Sequence, residues 1–499
     1  MKRDGLIYNP ISFFIINFSD FKMEIKQKFH TFIRDIDEYT YICNSLINRD
    51  LIVDFSGQII LSQVSREWKS LDVIVDNLLN VYKDVEKDIL MSDVVDFFRE
   101  LNDLGFIEIR DNNLIGRYAS ANIDINLPYK DKYLPLVKPV PDSTQMHLLK
   151  AFTEHPRLFS LQVELTNLCN ERCVHCYIPH KYKARAMSMA NFERILEQAN
   201  EMGVLTFVIN GGEPMCHPNF VQMFEKVNSY DFDIKILSNL TQINETIIEK
   251  LKNSHVTDIR TSIYSLDPEI HDGITKVKGS LDLTLQNLLR LKTLGLPVSI
   301  SCVLMKQNKD SYKELLKWAN THKIPLFIDY ILFARYDFTS DNLDYRLSKE
   351  DIKKIIIDKI ENDPSYVEEI RCADFSRLES YFNQFSVSCN VGRSSLCIAS
   401  DGTAYPCIGW QGYDIGNIEK ESLNDIWNSA KLDRLRNISR NDFEECRNCK
   451  DKFFCSRCLA RNANENNGDY MKLNKFTCEL AQLNRTLCHD LIDVDYLGD

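Results

Sequence analysis

The sequence predicts an α/β chain built on a partial (β/α)6 barrel over residues 161–365, with a small winged-helix unit ahead of it and a cysteine-rich unit behind. Three observations carry this. From Leu161 onward, apolar strand-like runs alternate six times with helical stretches, the pattern of parallel strands joined by crossover helices. Cys169, Cys173 and Cys176 crowd the loop after the first of those runs, where a barrel of parallel strands carries its chemistry. Ten of the 16 cysteines fall between Cys372 and Cys488, which sets the tail apart as a ligand-rich unit.

In chain order, residues 1–36 read weakly as an N-terminal segment in which Met23 is a second candidate start. Over 37–115, Leu51–Phe55 and Gln58–Leu61 read as short strands around a Ser56-Gly57 hairpin turn. Trp68, Leu71, Ile74, Val75, Leu78 and Leu79 then recur at helical steps. A further helix from about Ser92 carries Val94, Phe97, Phe98, Leu101 and Leu104 on one face and stops at Gly105, before a closing strand at 106–109. Residues 116–160 read as a linker, extended by Pro128, Pro135, Pro139 and Pro141. In the barrel, strands are expected near 161–168, 205–210, 233–239, 258–265, 297–304 and 325–332. Helices are expected near 188–202, 218–229, 244–253, 280–294, 310–322 and 348–361. The cysteine-rich unit takes up 366–499.

A formal net charge of -12 argues against a nucleic-acid partner held by a general electrostatic field. The apolar run from Ile11 to Phe18 is far short of a membrane span, which needs roughly 20 residues. With no cleavage site after it, a cytoplasmic protein is expected, and cysteines there serve as thiolate ligands more readily than as disulfides.

The spacing C-x3-C-x2-C lets one tight loop aim three thiolates at a single cluster. A cubane 4Fe-4S cluster takes four ligands, one per iron. Three leave one iron open to a small molecule. This loop, with His175 before the third cysteine, resembles the signature of the radical S-adenosylmethionine (SAM) enzymes. The resemblance implies a 4Fe-4S cluster on Cys169, Cys173 and Cys176 whose open iron chelates SAM, and whose reduced form yields a 5′-deoxyadenosyl radical that abstracts hydrogen from substrate. Asn210-Gly211-Gly212-Glu213-Pro214 is similar to the family's GGEP motif, which implies that the backbone of Gly211 to Glu213 meets the amino group of SAM while Pro214 fixes the exit. By the same resemblance Ser238, Asn239 and Ser262 lie near the ribose and carboxylate. His271 and Asp272 read as shaping a loop, Ser280 as a helix N-cap, and Cys216 and Cys302 as small core residues. Asp329 and Tyr330 are candidate pocket residues.

The tail runs Cys389, Gly402 to Cys407, Cys446-x2-Cys449-x5-Cys455-x2-Cys458 and Cys478, and resembles the SPASM domain with its two auxiliary 4Fe-4S clusters. It departs from the family between Cys455 and Cys458, where two residues stand in place of three. The resemblance implies one cluster on Cys446, Cys449, Cys455 and Cys478 and another on Cys389, Cys407 and Cys458, with Cys372 as the preferred fourth ligand, Cys397 in reserve, and an open iron if neither ligates. Cys488 falls outside the pattern. Zinc is the competing tenant, since paired C-x2-C units also build zinc ribbons.

Ahead of such a core, the winged-helix unit resembles the PqqD-like domain that holds the leader of a ribosomally made precursor peptide by adding it as a strand to a sheet edge. The combined reading is a peptide maturase installing a thioether, carbon–carbon or carbon–oxygen crosslink, with a flavodoxin or ferredoxin as electron donor. Two alternatives stand beside it: a side-chain-oxidising maturase of the sulfatase-maturating kind, and a non-catalytic Fe–S carrier of peptide or electrons.

Overall fold

The computed structural model describes residues 23–111, 144–182, 185–371 and 391–492, which fall into two units, Met1–Ile125 and Asn126–Asp499.

The first unit begins earlier than expected. β1 (Met23–Gln27) and β2 (Thr31–Ile36) lie ahead of the anticipated boundary at residue 37. β1 buries Met23 and Ile25 while Glu24 and Lys26 face outward, and those alternating charges mask it in the sequence. β2 pairs antiparallel with β3 (Tyr39–Asn44), and β3 with β4 (Arg49–Val53). β1 lies between β5 (Lys69–Ser70) and β6 (Ile107–Asp111) in a second sheet. The expected hairpin at Ser56-Gly57 is instead the helix Phe55–Leu61, so Gln58–Leu61 is helical rather than a strand. Asp54 caps it by accepting the Gly57 amide at 3.1 Å, and Gly57 fits because an added Cβ would lie 2.7 Å from the Val53 Cβ. Helices Leu71–Leu79 and Lys87–Asp103 close the unit. Trp68 lies outside the first of them, its ring covered by Arg110 at 3.9 Å and Lys26 at 4.7 Å.

The second unit holds a nine-stranded sheet. β7 (Ser160–Thr166), β8 (Thr206–Gly211), β9 (Asp233–Leu237), β10 (Val256–Ser262), β11 (Val298–Val303) and β12 (Leu326–Asp329) run parallel in sequence order. One face buries Leu161, Val163, Phe207, Ile209, Ile234, Ile236 and their neighbours in the core shared with the helices. By strand alternation the other face carries Gln162, Glu164, Asn210, Asp258, Arg260 and Ser299, a polar lining. The helices Met189–Glu201, Phe220–Asn228, Glu245–Lys252, Ser280–Thr293, Tyr312–Thr321 and Lys349–Asn362 fall where expected.

Three features differ from expectation. The tail continues the barrel sheet: β13 (Ser395–Ile398) pairs parallel with β7, and β14 (Thr403–Tyr405) and β15 (Gly416–Asn417) follow it. The stretch read as a loop around His271 is the helix Pro268–Thr275, because Asp267 accepts the Glu269 amide at 2.8 Å and Pro268 suits a first helical position. Ser280 is not an N-cap: that place belongs to Gly279 at φ 82, and Asp272 caps from outside the helix by accepting the amides of Gly279 at 2.6 Å and Leu281 at 3.1 Å. The helix Thr144–Glu154 occupies the end of the expected linker, whose Pro128, Pro135, Pro139 and Pro141 lie outside the described residues.

Candidate active site

The cysteine loop leaves β7 at Thr166 and is held at both ends by neighbouring segments. The Thr166 hydroxyl donates to the Arg185 carbonyl at 2.7 Å, and the Asn167 side chain accepts the Arg185 amide at 2.6 Å. Farther along, the amides of Arg172 and Val174 donate to the carbonyls of Thr275 and Ile274 at 2.9 and 3.0 Å. The loop therefore rests on the short helix Pro268–Thr275. Its far end is braced by two side chains that sequence reasoning missed. Arg335 donates to the Cys176 carbonyl at 3.1 Å, and Asn342 to the His175 carbonyl at 3.2 Å.

Within the loop the three thiols are neighbours. Burial first, then Glu171, Cys176 and Cys169, push the Cys173 thiol well above its ordinary range. Thiolates this close to one another and to a carboxylate repel, and a shared iron centre is what removes the repulsion, so the donor set fits a cluster. His175 is held neutral by burial, which lowers it to about 4, and its Nε2 lies 3.2 Å from the Tyr264 hydroxyl.

The glycine loop at the end of β8 is built against the cysteine loop. A Cβ on Gly211 would meet the Thr166 carbonyl at 2.1 Å, and one on Gly212 the Leu168 carbonyl at 2.3 Å. In their absence the amides of Gly212 and Glu213 donate to those same carbonyls at 2.7 and 2.8 Å. The Glu213 carboxylate, fully buried, accepts from the Met215 amide at 3.0 Å, the Ser238 hydroxyl at 2.8 Å and the Asn239 amide at 2.7 Å. Burial raises it to about 7 against those three donors. Pro214 opens the turn that follows.

The Ser238 hydroxyl donates to Glu213 and accepts the Leu240 amide at 2.9 Å, so it holds the Glu213 carboxylate in place. Asn239 reaches back to the cysteine loop, donating to the Asn170 side chain at 2.9 Å, and Ser262 bonds the Tyr264 hydroxyl. Asn210 is missing from the expected set, yet both atoms of its buried amide lack a partner among the described residues. Cys216 is not a plain core residue, since its half-buried thiol lies 3.8 Å from Asn170 Oδ1, whereas Cys302 is buried in the core. Tyr330 belongs to a cavity wall with Asn484 on the tail helix, while Asp329 is buried and accepts the Ile331 amide at 2.8 Å.

In the tail, Cys446, Cys449, Cys455 and Cys478 gather. Burial and then Cys455, Cys446 and Cys449 push the Cys478 thiol to about 11. Helix Lys475–Ile492 supplies Cys478 and is tied to the loop between Cys449 and Cys455 by Arg485 donating to Asp451 at 2.6 Å. Cys397 on β13 is a neighbour of Cys407: burial, then Glu164 and Cys407, raise its thiol. Cys458 stands directly before the helix Leu459–Glu465. Cys372 and Cys389 lie outside the described residues. Cys488 is buried in the core. Among the described residues, no three His, Cys, Asp or Glu side chains are arranged to hold a single metal ion.

The sequence pattern of the Radical SAM superfamily matches residues 163–319, and that of an iron-sulfur cluster-binding domain, SPASM, matches residues 389–450. The antilisterial bacteriocin subtilosin biosynthesis protein AlbA of Bacillus subtilis (strain 168) is 24% identical over 319 residues, 63% of this chain and 70% of that protein. An AdoMet-dependent heme synthase of Methanosarcina barkeri is 22% identical over 342 residues, 64% of this chain and 96% of that protein. Among solved structures, Streptococcus suis SuiB bound to precursor peptide SuiA superposes with a TM-score of 0.61 at 16% identity, covering 91% of this chain and 100% of that one.

The barrel, its cysteine loop and the glycine loop against it are those of a radical SAM enzyme, one that works with a 4Fe-4S cluster and S-adenosylmethionine. Residues 163–319 thus carry a radical SAM domain and residues 389–450 a SPASM iron–sulfur domain.

Proposed function

We propose that this enzyme modifies a ribosomally made precursor peptide, closing a thioether, carbon–carbon or carbon–oxygen crosslink. The observation that carries the reading is the mutual clamping of the cysteine and glycine loops above a polar barrel lining. Supporting it, AlbA is a bacteriocin biosynthesis protein and SuiB binds a precursor peptide. The 91% overlap with SuiB also exceeds the second unit alone, so it reaches into the first, the unit read as PqqD-like and leader-binding.

Cys169, Cys173 and Cys176 would hold the SAM-binding cluster, with the backbone of the Gly211–Glu213 turn toward the amino group and Ser238, Asn239 and Ser262 nearby. When bound, the reduced cluster and SAM supply a 5′-deoxyadenosyl radical that takes a hydrogen atom from substrate. The chain's own work is to orient and shield. Arg335 and Asn342 hold the loop's carbonyls still, Glu213 locks the glycine turn to β9, and the neutral His175–Tyr264 pair closes the side toward the helix Pro268–Thr275. Cys446, Cys449, Cys455 and Cys478 would hold one auxiliary cluster. Cys389, Cys407 and Cys458 would hold the other, completed by Cys372 or Cys397. Cys397 gains weight from its place beside Cys407. A crosslink is a two-electron oxidation, and these centres would pass the electrons on. A low-potential flavodoxin or ferredoxin is the proposed donor and the cytoplasm the proposed site of action; no helix among the described residues is long and apolar enough to cross a membrane.

The test is anaerobic incubation with SAM, reductant and short peptides encoded beside this gene. Loss of two hydrogens together with a new linkage between two residues, located by fragmentation, supports the crosslink. Conversion of a single side chain to a carbonyl favours the oxidising maturase instead, and peptide binding without SAM turnover favours the carrier.

A further inference from the structure

Arg461 is among the most completely buried large side chains of the molecule, at 1% exposure. Its Nε and one terminal nitrogen meet no hydrogen-bond partner among the described residues. A guanidinium in that condition is costly, since an ion withdrawn from water without a partner loses its hydration uncompensated. The carboxylates around it are already engaged. Glu465, four residues on, is held by Arg346 through paired bonds of 2.6 and 3.0 Å, and Asp329 accepts the amide of Ile331 at 2.8 Å. Phe476 separates the two cations, its ring centroid 4.7 Å from the Arg346 guanidinium and 6.0 Å from that of Arg461. The cavity beside Arg461, walled by Tyr330, Phe454, Ser456 and Asn484, measures about 20 Å³, room for about one water. No dissolved anion of ordinary size fits there.

The remaining negative neighbour is Cys458, one helical turn back along the chain. We infer that Arg461 is the buried counter-charge of the auxiliary iron–sulfur cluster ligated through Cys458. This rests on the cluster assignment proposed above. A thiolate-ligated cubane is an anion whose reduced state carries one more negative charge, so a fixed cation beside it favours the reduced state and raises its potential. Arg461 is a positioning and tuning residue here, with no contact to substrate.

The test uses the full chain, anaerobically reconstituted, as wild type, R461M and R461K. Iron per chain is read first, then each auxiliary cluster's potential by EPR-monitored titration. At equal iron, one auxiliary cluster in R461M is expected to titrate at a more negative potential than in wild type, with R461K in between. Unchanged potentials in R461M at equal iron overturn the inference. Should R461M lose that cluster, R461K is expected to keep it, and equal loss in both overturns the inference in favour of a packing role. Wild-type iron of only ~4 per chain would sink the auxiliary-cluster assignment itself, before any variant is compared.

Discussion

The side chain of Glu213 anchors the glycine turn from inside the protein. Its carboxylate faces three donors and no solvent, so Glu213→Gln turns an NH2 toward an N–H or O–H. An unsatisfied buried donor costs ~1–3 kcal/mol. SAM affinity, measured by equilibrium dialysis without reductant, is expected to fall ~10- to 100-fold while iron content holds. His271 offers a pH test. Burial lowers it to about 4 from its ordinary 6.5, and its Nδ1 accepts the Tyr264 amide at 3.3 Å, with Asp272 beside it. The unfolded chain therefore binds a proton that the folded chain refuses. The stability held above pH 6.5 is lost as pH falls toward about 4. Relative to His271→Asn, which keeps an acceptor, wild type is expected to lose ~1 kcal/mol more between pH 7.5 and 5.5 in denaturant titrations. The three thiols of the loop were legible because the spacing that brings them together is local in sequence. Arg335 and Asn342 were not, since their contacts close loops of 159 and 167 residues and nothing near them announces it.

At the level of elements, the two ligand loops form one structure. Gly212→Ala places a Cβ 2.3 Å from one backbone carbonyl and 2.7 Å from another, neither able to swing aside. The expected result is loss of one cubane, ~4 irons of ~12 per chain, with the auxiliary clusters intact. Full iron and unchanged SAM binding in that variant would show the loops to be independent. The strands and helices of the barrel could be read from periodicity, because each strand is apolar on its helix-facing side and each helix repeats at 3.6 residues. Short segments were decided by caps the pattern does not display. Gln58–Leu61 carries as much strand as helix signal, and the Asp54 side chain settles it. The same holds for Pro268–Thr275, started by Asp267, and for Ser280, displaced as cap by Asp272 reaching across from the preceding helix.

Across the whole molecule, the sheet explains why the tail belongs to the barrel. β13 extends the parallel row beyond β7, which brings Cys397 alongside Gln162 and places Cys407 just after β14. The sequence separated these parts at residue 366 because cysteine density, not strand pairing, was the visible signal. Replacing Cys446, Cys449, Cys455 and Cys478 together by alanine is expected to remove ~4 irons yet leave SAM cleavage measurable, since the cleaving cluster is held elsewhere. The most direct test of the open iron at the barrel mouth is the release of 5′-deoxyadenosine by the reduced, reconstituted chain. Wild type is expected to release it and Cys173→Ala to release none. Repeated absence of 5′-deoxyadenosine from wild type with its clusters intact, or equal release from Cys173→Ala, would contradict it.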